Sequence, residues 1–405
     1  MTAKSKVTVT EQGVSSLSQS VQTSAFQQVI DACASAGGGV IEVPAGRYVI
    51  GSIRLRSNIT LRLNAGAVLV GSANLNDYTD FNEANPVDYV HDPFYIKEWH
   101  LPDHYFAALI SAYHEQNVQI IAESGSAIDG SSLTDPRGEE GFRGPMGIAM
   151  VGISHLTLKG YTFVNSANWS HAILGCHHVT IDDVQIRGGH DGFNLHHSRD
   201  IRISNCGVYS GDDTIAGYDI HQLTVRHCLL NTACNSMRIG GQEIQFDDCT
   251  FSGPGLYPHL AKQTNYTHAF FKYYAIDADK NQQPSENITI KRCLINDIGR
   301  LISYNRGDKS VMQNGSYMRT LTFDSCVIDH VSAPSVIHGN GTALTVTFTH
   351  VQFGHNEATE LFQLDSSVKV VLEAVTFLEP TMIKQGTDTC SLCGHVTRMV
   401  LSDNG

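Results

Sequence analysis

One pattern of polar and apolar positions recurs along the middle of the chain. β-Branched and aliphatic residues alternate with polar ones over short stretches bounded by Gly, Asn or Ser, which is typical of β-strands. A fixed period near 22 residues indicates a solenoid. Because no helix-length segment separates the stretches, we expect an all-β fold, a parallel β-helix. Five stretches start 23, 22, 22 and 21 residues apart, at His155, His178, Asp200, Gln222 and Glu243.

The same pattern returns further along the chain, after a wider interval. The stretches that start at Glu243 and Asn287 are 44 residues apart, about two periods, with a loop expected around residues 253–267. Matching stretches then start at Thr320, Leu344 and Val368 and complete the stack.

Three segments depart from the strand pattern. Residues 23–34 carry apolar side chains on one face of a helix, with Thr23 or Ser24 as N-cap, and are expected to cover the open end of the solenoid. Residues 73–106 are aromatic, acidic and rich in proline, which predicts a long ordered loop beside the groove. Its aromatic rings could stack on sugars, and burial against the solenoid wall is the equal alternative. Residues 380–405 are expected to cap the other end.

Composition excludes several classes of partner. The 405 residues carry a formal net charge of -13 and no basic run, which argues against nucleic acid or an anionic membrane. No apolar run approaches the roughly 18 residues of a membrane span, and the first residues lack a signal-peptide core. We therefore expect a soluble cytoplasmic protein, or a secreted one if a leader was removed. It should form one domain over residues 1–405, because a solenoid grows without a boundary; nothing in the sequence indicates its oligomeric state.

The ten cysteines fit a reducing compartment. Several follow a polar residue at the same place in their repeats, which predicts a ladder of buried, reduced thiols that pack as small apolar side chains. Cys390 and Cys393 form a lone CxxC, for which a redox or zinc role is the weaker alternative. The ladder positions are Cys206, Cys228, Cys249, Cys293 and Cys326.

Three aspartates stand out within the regular stretches. Asp191 and Asp213 are 22 residues apart, one full coil, so they should lie on neighbouring strands about 4.8 Å apart, with Asp212 beside them. Carboxylates that close do not all ionise easily, and one should have a raised pKa. An acid beside a base is what glycoside hydrolysis requires. The alternative is that these aspartates only cap turns.

Longer matches in order resemble glycoside hydrolase family 28, the polygalacturonase family of right-handed parallel β-helices. The resemblance covers roughly residues 23–379. It is carried by CASAGGGVIEVPAGRYVIGSIRLRSNITLRLNAGAVLVGS near the start, IDGSS at Ile128, NSANWSHAILGCHHVTI from Asn165, and the HDG and SGDD segments around Asp191 and Asp212.

The resemblance implies a single-displacement, inverting hydrolysis. Asp212 would protonate the glycosidic oxygen, while Asp191 and Asp213 hold and deprotonate the attacking water. Inverting enzymes keep acid and base roughly 6.5–9.5 Å apart to leave room for that water. Adjacent aspartates on a regular strand point to opposite faces, so Asp212 and Asp213 must lie at a bend.

Two family signatures are altered. Where a Gly-His-Gly segment is expected, the chain reads Ala233-Cys234-Asn235-Ser236-Met237-Arg238-Ile239-Gly240, with no histidine, and the Arg-Ile-Lys segment is matched only loosely by Phe270-Phe271-Lys272. Alternation places Phe193 and Leu195 in the core, and Asn194 and His196 on the outer face, near Asp191. His196 is the first choice to replace the lost histidine, although a plain hydrogen-bonding role is the commoner fate of a histidine. The predicted substrate-binding residues are His190, Asn194, His196, Tyr218, Asn235, Arg238, His268 and Lys272; His197 is a further histidine candidate.

The leading functional hypothesis is therefore an inverting glycosidase for pectin-derived, galacturonate-containing or related oligosaccharides, with exo action as one mode. A lyase or uronate epimerase on the same scaffold is an alternative, and a carbohydrate-binding β-helix without turnover is another. No P-loop occurs, and the glycine pairs lie between strands rather than at helix starts, so we expect no cofactor and no metal.

Overall fold

The computed structural model describes residues 5–80, 87–102, 105–280 and 282–402. The chain folds as two compact units, Met1–Gly207 and Val208–Gly405. Within the described ranges, no helix is long and apolar enough to cross a membrane.

The first unit consists of parallel strands with two α-helices. The helices are α1 (Thr23–Ser35) and α2 (Pro93–Trp99), and short 3-10 turns span Val9–Gln12, Leu75–Asp77, Asp88–His91 and Glu139–Gly141. The strands are β1 (Ser5–Thr8), β2 (Gly39–Val43), β3 (Gly46–Ile50), β4 (Ile53–Arg54), β5 (Ile59–Leu63), β6 (Ala67–Gly71), β7 (Ala108–Tyr113), β8 (Gln116–Ala122), β9 (Ala127–Asp129), β10 (Met146–Val151), β11 (Ser154–Lys159), β12 (Thr162–Val164), β13 (His171–Leu174), β14 (His177–Asp182), β15 (Gln185–Gly188), β16 (Phe193–Asn194) and β17 (Arg199–Ser204).

The coil period predicted from the sequence is confirmed by the strand register. Leu156 pairs with Val179, and Val179 pairs with Ile201, in parallel strands one coil apart. All three side chains are at most 1% exposed. Each coil thus stacks aliphatic side chains on those of its neighbours, and truncating one to alanine should cost roughly 2–5 kcal/mol.

The predicted N-terminal helix is confirmed, although its cap is not. Phe26 and Ile30 are fully buried on one face of α1. The N-cap residue is Gln22, whose side chain makes no capping bond. The hydroxyl of Thr23 instead accepts the N–H of Gly51 at 2.7 Å, because it faces the first coils rather than its own helix end. The expectation of Thr23 or Ser24 as N-cap was therefore wrong.

The segment 73–106 contains more regular structure than the predicted loop. It holds α2, which Asp92 caps by accepting the N–H of Phe94 at 2.8 Å, with Pro93 at the first helical position. An Asp-Pro start of this kind is a helix signal that the proline content of the segment obscured. Tyr89 and Tyr95 are buried, so the alternative of burial holds for them. Residues 81–86 and 103–104 of this segment lie outside the described residues.

The second unit consists of parallel strands and ends in an antiparallel pair. A 3-10 turn spans Lys309–Val311. The strands are β18 (Gly207–Ser210), which starts at the unit boundary, β19 (Ile215–Arg226), β20 (Leu229–Thr232), β21 (Asn235–Asp247), β22 (Thr250–Ser252), β23 (Ala269–Tyr273), β24 (Glu286–Lys291), β25 (Leu294–Ile298), β26 (Arg300–Asn305), β27 (Thr320–Asp324), β28 (Val327–Val331), β29 (Ser335–His338), β30 (Leu344–Thr349), β31 (Gln352–Phe353), β32 (Glu360–Leu364), β33 (Val368–Gln385) and β34 (Asp388–Leu401).

The wide interval after Glu243 is one coil rather than two. Ile244 pairs directly with Ile288, so β21 and β24 are neighbours. The extra residues form two loops outside the coil, one on either side of β23. The first spans residues 253–267, and the second includes residues 274–280 and 282–285. Counting residues overestimated the number of coils, because loop length adds to the apparent period.

The tail forms a strand that pairs along β33 in the antiparallel sense. Val375 lies opposite Val396, and Cys390 opposite Ile383. Residues 403–405 lie outside the described residues. Among the residues that the structure describes, no cluster of potential metal ligands includes Cys390 or Cys393.

One turn of the coil explains the cysteine ladder. Asn205, His227 and Asp248 have left-handed backbone conformations, with φ of 56°, 53° and 53°. Asn, Asp and His tolerate this region better than most residues. The residue after each of them is a buried cysteine without a disulfide bond. The predicted ladder of buried, reduced thiols is therefore confirmed at these turns, and Cys293 and Cys326 are buried in the same way.

Candidate active site

In the first unit, Asp191 lies in the bend between β15 and β16 and is 6% exposed. Its Oδ2 accepts the Nδ2–H of Asn194 at 3.1 Å, and its carbonyl oxygen accepts the N–H of Ser170 at 2.9 Å. A buried carboxylate in a bend is held by such donors in one orientation. The predicted proximity of Asn194 to Asp191 is thus seen.

The neighbouring histidines are packed against aromatic rings. His190 is 4% exposed and stacks on Phe142 at 5.9 Å between ring centroids. His196 is fully buried, with its ring 5.7 Å from Trp169 and 6.2 Å from Tyr89. Alternation placed His196 on the outer face of its strand, but the segment 73–106 covers that face. His196, the first choice to replace the lost histidine, therefore has no solvent-exposed surface.

A polar cavity of about 280 Å³ lies in the same unit. Tyr78 and Tyr105, from the segment 73–106, line it together with Asn168. The Tyr105 hydroxyl donates to Oε2 of Glu139 at 2.8 Å. The Nε–H of Arg143, which also lines the cavity, donates to Oε2 of Glu140 at 2.8 Å. The segment therefore contributes to the wall of this cavity.

In the second unit, Asp212 and Asp213 lie between β18 and β19, at the bend that their joint action requires. The Ser210 hydroxyl donates to the carbonyl oxygen of Asp212 at 2.7 Å. The N–H of Asp213 donates to Oδ1 of Asp212 at 3.1 Å. These bonds fix the backbone of the bend and one oxygen of its first carboxylate.

Asp213 is the more buried of the pair, at 3% exposure. Its Oδ1 accepts the Nδ2–H of Asn235 at 2.6 Å, and its Oδ2 lies 3.9 Å from the guanidinium of Arg238. Burial, and then the negative charge of Asp212, raise the pKa of Asp213 above its usual range. Arg238 and Asn235 act in the opposite direction, because both favour the ionised form of the carboxyl.

Arg238 and Lys272 form a cationic pair beside Asp213. They are partners in the register of β21 and β23. The Arg238 guanidinium lies 4.4 Å above the ring centre of Tyr274, which holds it flat. Burial, followed by the charge of Arg238, lowers the pKa of Lys272 to about 8. Two cations of different chemistry are thus available to an anionic ligand.

Of two other predicted residues, Tyr218 takes a different position from the one expected, and His268 is partly buried. Tyr218 is fully buried, with its ring 5.0 Å from Tyr274. The register shifts between Gly217 and Ile220, so simple alternation fails there and the expected groove-lining position of Tyr218 was wrong. His268 is partly buried; burial, with smaller effects from neighbouring cations, lowers its pKa to about 4 and keeps it neutral.

Sequence analysis missed His259, which lies in the loop 253–267. Its Nε2 is 3.7 Å from Oδ2 of Asp212, and the residue is 4% exposed. The sequence held one signal: residues 253–267 interrupt the period in the repeat that follows the altered segment around Asn235, and His259 is the only histidine among them.

Asp212, Cys234 and His259 place potential metal-ligand atoms within 4.8 Å of one another. The backbone N–H of Lys262 donates to Nδ1 of His259 at 3.2 Å. In the neutral ring the proton is therefore on Nε2, the nitrogen that faces Asp212. A metal ligand would need that nitrogen unprotonated, so this donor set does not fit a cation.

Curated relatives match parts of this chain. A curated "Probable polygalacturonase" from Vitis vinifera is 26% identical over 209 residues, covering 49% of this chain and 41% of its own length. An "Exo-poly-alpha-D-galacturonosidase" from Dickeya chrysanthemi is 44% identical over 74 residues, covering 18% of this chain and 12% of its own length. The chain thus spans less than half the length of these curated relatives.

Among solved structures, an exopolygalacturonase from Thermotoga maritima matches with a TM-score of 0.71 at 14% identity, covering 97% of this chain and 95% of its own. This likeness confirms the fold class, a right-handed parallel β-helix. The sequence profile of glycosyl hydrolases family 28 matches residues 33–244, more than half of the chain. The chain therefore belongs to glycosyl hydrolases family 28.

Proposed function

We propose that the protein is an inverting glycoside hydrolase that releases sugars from the ends of pectin-derived, galacturonate-containing oligosaccharides. The observation that carries the proposal is the environment of Asp213. It is a buried carboxylate, hydrogen-bonded by Asn235, with a raised pKa next to a second carboxylate. Because the chain belongs to a glycoside hydrolase family, the reaction proposed for these carboxylates is hydrolysis of a glycosidic bond.

In the proposed mechanism, Asp212 protonates the glycosidic oxygen, and Asp191 and Asp213 orient and deprotonate the attacking water. Adjacent carboxyls titrate as a pair, so one proton shared by Asp212 and Asp213 is retained to higher pH than an ordinary aspartate allows. One group is then able to donate while another accepts, which single displacement requires.

The cationic pair supports an anionic sugar. Arg238, held over Tyr274, offers a planar fork to a carboxylate, and Lys272 offers a point charge. The Vitis vinifera and Dickeya chrysanthemi relatives both carry galacturonate polymers in their names. Exo action is proposed because the Dickeya chrysanthemi protein is named as exo-acting.

A product assay tests the proposal. Wild type, Asp212→Asn and the matched control Asp248→Asn would be incubated with galacturonate oligomers of increasing length and with neutral oligosaccharides. Asp248 is exposed and lies at a left-handed turn that asparagine also adopts. Proton NMR of the newly released anomer should show inversion, and chromatography should show release of short products only.

Asp212→Asn should lose about 10²–10⁴-fold in rate, the range of general acid catalysis, while the control keeps its activity. Retention of anomeric configuration, an unsaturated product, or full activity of Asp212→Asn would each refute the proposed mechanism. Binding of these oligosaccharides without turnover would refute the proposed activity.

A further inference from the structure

We propose that His259 is a positioning residue for Asp212. Its Nε2–H would support the Asp212 carboxylate as that group gives up its proton. The inference rests on the proposed function, in which Asp212 is the acid. Residues 233–240, which stand where the family signature has its histidine, contain no histidine, so the support would come from a loop outside the coil rather than from the coil itself.

The loop 253–267 is anchored firmly enough to place a side chain. The Nδ2–H of Asn231, in β20, donates to the carbonyl oxygen of Pro254 at 2.9 Å, and its Oδ1 accepts the N–H of Leu256 at 2.7 Å. Across the base of the loop, the N–H of Gly255 donates to the carbonyl oxygen of Asn265 at 2.8 Å. The buried side-chain amide of Asn231 thus connects the loop to β20. This strand precedes the bend that lies one coil after the bend at Asp212.

Hydrogen bonds within the loop hold His259 in one orientation. Its N–H donates to the carbonyl oxygen of Thr264 at 2.8 Å, and its carbonyl oxygen accepts the N–H of Gln263 at 2.7 Å. The N–H of Lys262 donates to Nδ1 at 3.2 Å. A ring nitrogen that accepts carries no proton, so the neutral imidazole presents Nε2–H to Asp212.

The separation of 3.7 Å between Nε2 of His259 and Oδ2 of Asp212 suits a group that acts during the reaction. It exceeds the roughly 2.7–3.2 Å of a formed hydrogen bond. When the O–H bond of Asp212 breaks and the glycosidic oxygen takes the proton, negative charge develops on the carboxylate. The Nε2–H can then close on it, while His259 keeps its own proton. Such contacts tighten only as the reaction proceeds and stabilise the transition state selectively.

Leaving-group dependence tests this role. Wild type, His259→Leu, His259→Gln and Asp212→Asn would be assayed on digalacturonate and on para-nitrophenyl α-D-galacturonide. The nitrophenolate leaves with little help from an acid, whereas a sugar needs protonation. On digalacturonate, His259→Leu should lose about 10²-fold or more in kcat with little change in KM. On the nitrophenyl substrate the loss should fall below about tenfold. His259→Gln, which keeps an N–H donor, should recover part of the rate.

Each other outcome has a defined meaning. An equal loss by His259→Leu on both substrates, or no loss, would overturn the role of His259. If Asp212→Asn itself shows no leaving-group dependence, or if wild type cleaves neither substrate, the proposed function is refuted, and the role of His259 is refuted with it. The exposed His227 provides the control variant His227→Asn, which should match wild type on both substrates.

A measurement on wild-type protein tests the role of His259 in a way that does not depend on the folding of the variants. Ring-nitrogen NMR shifts, assigned by comparison with His259→Gln, report the tautomer of His259 directly. The Nε2–H form is expected from the Lys262 bond. A ring with its proton on Nδ1 would overturn the proposal, whatever the variants do.

Discussion

The Nδ2–H of Asn235 donates to Oδ1 of Asp213 at 2.6 Å, and both residues are almost fully buried. A donor to the ionised form of a carboxyl favours that form. Asn235 therefore lowers the pKa of Asp213 against the effects of burial and of Asp212. Asn235, which lies in the segment that lacks the family histidine, thus adjusts the pKa of the proposed base rather than that of the proposed acid.

Replacing Asn235 by leucine should move the pH profile. Without the donor, the pKa of Asp213 rises further, and the base is ionised only at higher pH. The acid limb of kcat/KM should shift upward by about one pH unit, the differential effect of a charge-assisted hydrogen bond of roughly 1.5 kcal/mol. Rates measured from pH 3 to 8 check this. An unchanged acid limb would show that Asp213 is not the group that the profile reports.

Asp213→Asn should stabilise the protein at neutral pH. The folded-state pKa of Asp213 is raised, so ionisation disfavours the folded state: the contribution to stability is fully present below the ordinary value of 3.8 and is lost as pH rises through the folded pKa. Removing the charge should add about 1 kcal/mol at pH 7 and much less at pH 3, while activity is lost. Urea unfolding at both pH values measures the difference; a variant that loses stability at pH 7 contradicts the assignment.

Lys272 gives a separate pH dependence in substrate binding. Its pKa is lowered to about 8, so the ammonium loses its proton above that pH. KM for an anionic oligosaccharide should therefore rise above pH 8 in wild type. In Lys272→Arg, whose side chain stays charged, KM should stay level across this range. Wild-type KM that does not change between pH 7 and 9 would remove Lys272 from the binding site.

The sequence predicts the coils well because their register is a local repeat. Leu156, Val179 and Ile201 can be aligned by counting, since each buried position recurs once per coil. The same repeat predicts that Asp212 and Asp213 lie at a bend. Counting fails where the chain leaves the coil, as it does between Ile244 and Ile288, because an inserted loop and an added coil lengthen the interval in the same way.

Side-chain positions that depend on longer-range contacts were harder to predict. Tyr218 turns inward because the register shifts just before it, which the alternation rule does not contain. His196 is covered by Trp169 and by Tyr89 from the segment 73–106. His259 lies near Asp212 because of the path of its loop, which is fixed in part by hydrogen bonds to the Asn231 amide. Histidines near the aspartates in sequence were therefore favoured over the histidine that is near in space.

His171 predicts a loss of stability in acid that is independent of the active site. It is fully buried, its Nε2 lies 2.8 Å from the Tyr161 hydroxyl, and burial lowers its pKa from 6.5 to about 3. Below pH 6.5 the unfolded state binds a proton that the folded state does not. Stability should thus fall by about 1.4 kcal/mol per pH unit as the pH drops from 6.5 towards 3, in addition to the effects of other groups.

The paired variant Tyr161→Phe with His171→Phe isolates this effect, because it leaves no unpaired hydroxyl behind. Its unfolding free energy should depend on pH less steeply than that of wild type, by about one proton. The exposed His227→Asn serves as control and should keep the wild-type slope. Identical slopes for the paired variant and wild type between pH 4 and 6 would contradict a neutral, buried His171.

The thiol ladder predicts which cysteines react in the folded protein. All ten cysteines fall within the described residues, and eight are buried. Burial also raises the pKa of Cys176 to about 12, which removes the reactive thiolate. A thiol reagent should therefore label the exposed Cys393 quickly and Cys390 more slowly, and reach the other eight only after denaturation. Mass spectrometry of labelled peptides checks the order. Rapid labelling of Cys249 or Cys293 in native protein would contradict the packed ladder.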